Sequence, residues 1–212
     1  MFAIDAVEVR YAASPKIRLP SVKLAAGEHC LLLGPSGCGK TTLLHVAGGL
    51  LKPESGSVRV ADTDLTSITG TALDRFRGRH IGIVFQRLHL IPSLTILQNL
   101  TAAQYCAGLP VDPAAARAAL ARLGIENKAE SFPAQLSQGQ AQRASIARAI
   151  VNGPQLILAD EPTSALDDAN AMLVLDLLVQ QAQACNAVLL IATHDARTKY
   201  AIDLRIDLGA AA

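Results

Sequence analysis

The stretch Cys30 to Ala47 constrains this chain more than any other. Cys30-Leu31-Leu32-Leu33 is an apolar run of the kind that forms a buried strand. It leads into Gly34-Pro35-Ser36-Gly37-Cys38-Gly39-Lys40-Thr41, and Thr42-Leu43-Leu44-His45-Val46-Ala47 then reads as a helix. This is G-x-x-x-x-G-K-S/T in the strand–loop–helix setting that gives the pattern its meaning. Glycines let the backbone curl until successive N–H groups point inward at phosphate oxygens. The helix start adds its dipole. Lys40 supplies a compact cation for the β- and γ-phosphates, and Thr41 a hydroxyl for Mg2+. With glycine near 7% of residues, a chance match in such a chain is on the order of one in a hundred. The loop is expected to bind a nucleotide through Gly34, Pro35, Ser36, Gly37, Cys38, Gly39, Lys40, Thr41 and Thr42.

Composition narrows the remaining choices. The 212 residues suffice for one sizeable α/β domain. Half are hydrophobic and only 3% aromatic, and 19 basic residues face 18 acidic ones. That balance excludes a disordered chain. It also argues against a nucleic-acid partner, which would call for a basic surface or stacking aromatics. Mean hydropathy is +0.30, yet no apolar run approaches the ~20 residues of a membrane span. The N-terminus MFAIDAVEVR has early acids and no cationic region, so it does not read as a signal peptide. Cys30, Cys38, Cys106 and Cys185 form no C-x-x-C pair, which favours reduced thiols and a cytosolic setting.

The chain falls into three stretches. Residues 1–86 read as strand-rich: Val7 and Val9 alternate with Glu8 and Arg10, Ser57 to Val60 alternates, and Ile81 to Phe85 is apolar. Residues 87–152 read as helical, with Pro113 opening an Ala-rich helix that Gly124 closes. Residues 153–212 return to strands. Leu156-Ile157-Leu158 and Val188 to Ile191 are continuous apolar runs, expected of strands buried on both faces of a parallel sheet. Ala169 to Ala184 reads as the helix between them, which implies a βαβ unit.

Two further places carry chemistry. Leu156 to Ala159 ends in Asp160-Glu161, and Pro162 stops the strand. Ligands of open α/β sheets gather at the carboxyl ends of strands. Asp160 is therefore expected to hold Mg2+ through water, and Glu161, on the other side of the pleat, to polarise the attacking water. Farther back, Leu136-Ser137-Gln138-Gly139-Gln140 precedes a helix over 141–152, with Ser137 as N-cap and Gly139 leaving room for close backbone approach. Alone, that segment is a capped helix and nothing more.

Taken together, the chain resembles the ATP-binding cassette family. GPSGCGKTT at 34–42, Gln86 at a strand end, LSQGQ at 136–140, LILADEP at 156–162, SALD at 164–167 and His194 stand in that family's order and spacing. The resemblance implies an α/β phosphate-loop NTPase core with a mostly parallel sheet, an N-terminal antiparallel β subdomain and an inserted helical subdomain. The core would comprise 1–86 and 153–212, and the helical subdomain 87–152. It implies roles at matching positions: Tyr11 stacking on adenine, and Gln86 contacting Mg2+ and the water while linking the site to a membrane partner. Ser137, Gly139 and Gln140 would grip the γ-phosphate bound to an opposite subunit. Asp167 would cross the dimer interface, and His194 would touch the γ-phosphate. Catalysis would rest on Glu161, His194, Gln86 and Lys40, with Thr41, Gln86 and Asp160 at the metal.

There is a physical reason to expect a dimer. One chain offers two phosphate grips but binds one nucleotide in its loop; a head-to-tail pair with two nucleotides uses all four. The expected ligands are ATP and Mg2+. The partners are a second copy and an integral membrane permease carried on another polypeptide, at the cytoplasmic face of the inner or plasma membrane. The alternative is a soluble cassette ATPase of translation or DNA repair, but those usually carry two cassettes or long coiled-coil insertions. A small-molecule kinase fits neither LSQGQ nor His194. Leu158 to Thr163 and the run IGIVFQRLHLIPSLT at 81–95 resemble the group serving lipoprotein release and macrolide export. Two departures stand out: Gln138 where relatives commonly carry Gly, and Gln98 where many carry an acid. The side chain of Gln138 must point away from the nucleotide. Asn127-Lys128-Ala129-Glu130 imitates a guanine-reading motif, but it follows no buried strand and ends in Glu, so ATP is expected over GTP.

Overall fold

The computed structural model describes residues 1–11, 16–164, 166–194, 198 and 200–209. Ala165, within the SALD segment, lies outside the described residues.

Two sheets share the chain. The first is antiparallel and built mostly from the N-terminal quarter: β1 (Phe2–Val9), β2 (Ile17–Arg18), β3 (Val22–Leu24), β5 (Ser55–Val60) and β6 (Thr63–Asp64). β1 buries Phe2, Ile4, Val7 and Val9, and a register shift between Asp5 and Glu8 carries the buried positions from even to odd so that one face stays covered. The second sheet is parallel throughout, in the order β10–β4–β9–β8–β7. Its members are β4 (His29–Leu33), β7 (Ile81–Val84), β8 (Leu156–Asp160), β9 (Val188–Ala192) and β10 (Leu204–Asp207). β9 is buried at every position, as a strand covered on both faces must be.

The helices follow their capping chemistry. α1 (Lys40–Ala47) starts directly from the glycine loop. α3 (Ile96–Cys106) has a capping box of Thr95 and Gln98, so Gln98 serves there as a helix-start residue. α4 (Pro113–Arg122) has Asp112 as N-cap and Pro113 in its first turn, and the left-handed Gly124 follows it. α5 (Gln138–Ile150) begins at Ser137, and α6 (Asp168–Ala184) at Asp167, each through an N-cap side chain. α5 packs across β7, and only glycine permits it: a Cβ on Gly82 would stand 2.3 Å from the Ala149 carbonyl oxygen.

Residues 1–86 hold more helix than their strand-rich reading suggests. α2 (Gly70–His80) buries none of its residues, so the apolar periodicity that betrays a helix is missing. Its end is instead pinned by Arg79, which donates to the Ala107 and Gly108 carbonyls just beyond α3. Glu126–Lys128 forms a short 3-10 helix between α4 and α5, and Ala129 and Glu130 follow it in a turn.

Candidate nucleotide site

Four parallel strands end on the same edge of the sheet, and each delivers a chemically active residue. β4 runs into the phosphate loop. Gly37 and Gly39 take φ of 82° and 101°, values that L side chains rarely adopt. The Lys40 side chain folds back, and its Nζ donates to the Gly34 carbonyl at 2.7 Å and the Pro35 carbonyl at 3.0 Å. Lys40 is only 8% exposed, so its ammonium is held inside the loop, ready for an anion.

β8 ends at Asp160. The Thr41 hydroxyl donates to Asp160 Oδ2 at 2.9 Å, joining the helix start to the neighbouring carboxylate. The other oxygen, Oδ1, is buried and has no hydrogen-bond partner. Burial pushes the Asp160 carboxyl above its ordinary value, the Thr41 hydrogen bond opposes that, and the adjacent Glu161 charge adds to it. An orphaned, desolvated carboxylate oxygen beside a hydroxyl is what a hard cation satisfies.

Glu161 departs from the pleat on which the sequence reading placed it. Its φ is +46°, uncommon for a non-glycine residue, because the chain turns out of the strand here. The turn is held by the Glu161 N–H donating to Ala192 O at 2.8 Å and by the Ser164 hydroxyl donating to Glu161 O at 3.0 Å. The carboxylate meets the end of β9: Thr193 Oγ1 donates to Oε2 at 3.2 Å, and His194 Nδ1 lies 2.7 Å from Oε1. β7 ends at Val84, and Gln86 lies two residues beyond it rather than in the strand.

Lys40, Thr41, Gln86, Glu161 and His194 face one cleft of about 560 Å3, lined also by the other loop residues from Pro35 to Thr42 apart from Cys38; Gly34 and Asp160 are not part of its lining. Ile17 also lines it, an apolar contributor with no signal in the sequence, being one isoleucine in a strand of two residues. Tyr11 does not line it. Tyr11 is 41% exposed, and its hydroxyl pairs with Thr42 Oγ1 at 3.2 Å. The Cys38 side chain packs back against Gly34, the first residue of the loop: a Cβ on Gly34 would stand 2.6 Å from Cys38 Sγ.

The remaining predicted residues gather elsewhere. Ser137 and Gln140 close a capping box, with Gln140 Oε1 accepting from Ser137 N at 3.0 Å. Asp167 accepts from Asn170 N at 3.0 Å and from Asn170 Nδ2 at 2.7 Å, and the Asn170 backbone hydrogen bond holds its carboxyl below the ordinary value. Gly139 approaches Asn170 as well. The starts of α5 and α6 thus lie side by side, and Ser137, Gly139, Gln140 and Asp167 are not part of the cleft of their own chain.

Comparison with known proteins gives a consistent picture. Residues 18–164 match a family model described as ABC transporter. An uncharacterized ABC transporter ATP-binding protein of Mycobacterium tuberculosis is 45% identical over 189 residues, 88% of this chain and 57% of that protein. The macrolide export ATP-binding/permease protein MacB of Escherichia coli strain K12 is 45% identical over 177 residues, 82% of this chain and 27% of that protein. The chain thus spans little more than half of one relative and about a quarter of the other. The dimeric, post-hydrolysis structure of the ATP-binding cassette MJ0796 bound to ADP and Pi superimposes with a TM-score of 0.88. It is 31% identical, covering 99% of this chain and 94% of that one.

Proposed function

The chain belongs to the ABC transporter family, and on that premise we propose that it binds and hydrolyses ATP as the cassette of a membrane transporter. The observation that carries this reading is the shared edge of the parallel sheet. The Lys40 loop, the Thr41–Asp160 pair and the Glu161–His194 pair all stand at that edge, with the cleft between them. Lys40 and the loop N–H groups hold the β- and γ-phosphates. Glu161 takes a proton from a water whose oxygen bonds to the γ-phosphorus, while the bond from that phosphorus to the β–γ bridging oxygen breaks. ADP and inorganic phosphate leave. His194 bridges the carboxylate and the γ-phosphate, and Gln86 orients the water.

Mg2+ fits the donor set. Thr41 and Asp160 would hold it, with Asp160 Oδ1 the unsatisfied atom. No group of three or more His, Cys, Asp or Glu gathers among the described residues. That suits a cation that takes most of its ligands from phosphates and water. Once bound, it would neutralise charge on the β- and γ-oxygens.

The separation of Ser137, Gly139, Gln140 and Asp167 from the cleft supports a sandwich of two copies. In it, the start of one chain's α5 faces the nucleotide held by the other. Among the described residues no helix is long and apolar enough to cross a membrane. An integral permease is proposed as the membrane-spanning partner, approached through the segment after Gln86 at the cytoplasmic face of the membrane. Its cargo is proposed to lie with lipoprotein release or macrolide export, on the strength of the 81–95 and 158–163 resemblance.

The test is phosphate release from ATP and from GTP by the purified chain with Mg2+, alone and in membranes carrying a co-expressed integral permease. Turnover with ATP, stimulated by the permease, is expected. No hydrolysis in either setting would overturn the reading.

A further inference from the structure

We propose that Glu54 is a positioning residue for the base side of the nucleotide cleft: its carboxylate clips Arg10 to Lys16, and the clip holds Ile17 where the base of a bound nucleotide meets it. The proposal rests on the nucleotide reading above. Ile17 is the one branched aliphatic side chain that lines the cleft among the described residues; the rest of the lining is phosphate loop or the polar Gln86, Glu161 and His194. It stands over the loop, its Cγ2 3.9 Å from where a Cβ on Gly39 would lie. A phosphate gains nothing from such a wall, whereas the apolar surface of a base does.

The backbone alone holds Ile17 weakly. β2 has two residues, and among the described residues it pairs only with β1, Val9 against Ile17 and Glu8 against Arg18. One more bond follows, from the Leu19 N–H to Val7 O at 3.0 Å. Strand pairing this short is marginal by itself.

Side chains supply the rest. Glu8 Oε1 accepts from Arg18 Nε at 2.8 Å, and Glu8 Oε2 from Lys16 Nζ at 3.3 Å. Lys16 Nζ also lies 3.1 Å from Glu54 Oε2, and Arg10 Nε lies 3.3 Å from Glu54 Oε1. The charges alternate in sign along Arg18–Glu8–Lys16–Glu54–Arg10. The hydrogen bonds to Glu54 and then Glu8 hold the Lys16 amine above its ordinary value, and those from Arg18 and then Lys16 hold the Glu8 carboxyl below its own. A single exposed ion pair contributes little, but here the pairs share members and form a network.

Placement singles out Glu54. Arg10 directly precedes Tyr11 and Lys16 directly precedes Ile17, so one carboxylate ties the end of β1 to the start of β2. The backbone of Glu54 is itself fixed to the sheet: its N–H donates to Glu8 O at 2.8 Å, and the next residue, Ser55, opens β5 opposite Glu8. The clip therefore reaches from a firm strand to the residues that lead into Ile17.

Glu54→Gln keeps the size of the side chain and removes its charge. A ligand's apparent Kd rises as the fraction of protein in the competent arrangement falls. The Kd for ATP should accordingly rise about threefold, the size of effect that exposed ion pairs give. Inorganic tripolyphosphate has no base, and its Kd should not follow. The quantity to read is the ratio of the ATP Kd to the tripolyphosphate Kd, both by titration calorimetry with Mg2+, because the general change in field from the lost charge acts on both ligands. Under turnover, KM for ATP should rise by the same factor while kcat stays at the wild-type value. Lys16→Met should raise the same ratio, and the double variant should raise it by less than the product of the two single effects. An unchanged ratio in Glu54→Gln, fully multiplicative effects in the double variant, or a lower melting temperature with the ratio intact would each overturn the inference. A wild-type chain that binds neither ATP nor tripolyphosphate would instead sink the nucleotide reading itself.

Discussion

Replacing Lys40 by Met tests the phosphate loop at its most exposed assumption, that the ammonium is there for an anion. Met keeps an unbranched stem in a position only 8% exposed, so packing is little changed. What disappears is the charge and two hydrogen bonds, 2.7 Å to Gly34 O and 3.0 Å to Pro35 O. A unit charge 4 Å from a phosphate charge is worth ~4 kcal/mol at an effective dielectric constant of 20. The ammonium is not idle in the free protein, however. Its bonds to two carbonyls, each worth about 1.5–3 kcal/mol as a charged hydrogen bond, must be shared or given up when the phosphate arrives. With one of the two given up, the net loss on substitution is about 1–2.5 kcal/mol, or roughly 5- to 70-fold in Kd.

Titration calorimetry with ATP and Mg2+ measures that factor directly. Pro35 is exposed and Gly34 half-buried, so water can replace the lost donor. The melting temperature of the free protein should accordingly fall by less than about 4 °C, the shift that ~1 kcal/mol produces in a chain of this size. An ATP Kd within threefold of wild type would refute the assignment. A collapse in melting temperature would show Lys40 to be a structural strut of the loop instead.

Three further outcomes follow from the same geometry. Glu161→Gln should lower kcat by about 10²–10⁴-fold, the range for a lost general base; ATP affinity should hold, and light scattering should show an ATP-dependent dimer that persists. Asp160→Asn should raise the melting temperature of the nucleotide-free protein at neutral pH while abolishing the Mg2+ dependence of ATP binding. The sign is set by the raised carboxyl: the folded state favours the proton, so the wild type loses stability as pH climbs from the ordinary value of 3.8 through the higher folded one, and the Asn variant does not. Alkylation of Cys38 by a bulky reagent, in a Cys106→Ser background because Cys106 is exposed, should block ATP binding by displacing Gly34. Cys30 is buried, its thiol pushed up to about 11 by burial, and should not compete; retained ATP affinity after full Cys38 labelling would count against the packing.

The parts of this protein that were legible in its sequence are those whose physics is local. The β4–loop–α1 unit needs a buried strand, glycines at positive φ and a helix start within about twenty consecutive residues, and all three leave marks in residue type. The end of β8 is similar, since an apolar run, two acids and a proline are contiguous. α2 left no such mark. Its residues are all at least partly exposed and it is held by Arg79 on carbonyls 28 and 29 residues away, a contact that no window of sequence contains. The same limit explains Glu161. Alternation along a strand placed it across the pleat from Asp160, but the backbone leaves the strand at that residue with φ +46°, and its orientation comes from Thr193 and His194 on a neighbouring strand.

Gln142 shows the same limit in the helical region. In sequence it is one polar residue of an amphipathic helix, indistinguishable from Gln140 two positions earlier. The structure separates them. Gln140 spends its side chain on the Ser137 cap, whereas Gln142 is buried with its amide unmet, in a gap whose far wall is Gln86 and Glu161. The difference arises because α5 lies close over β7, where Gly82 admits the Ala149 carbonyl, and because Arg148 fixes the Leu88–His89 segment to that helix. The helix that begins with the residues proposed to meet a second copy's nucleotide thus also lines a gap shared with Glu161, the residue proposed as the base.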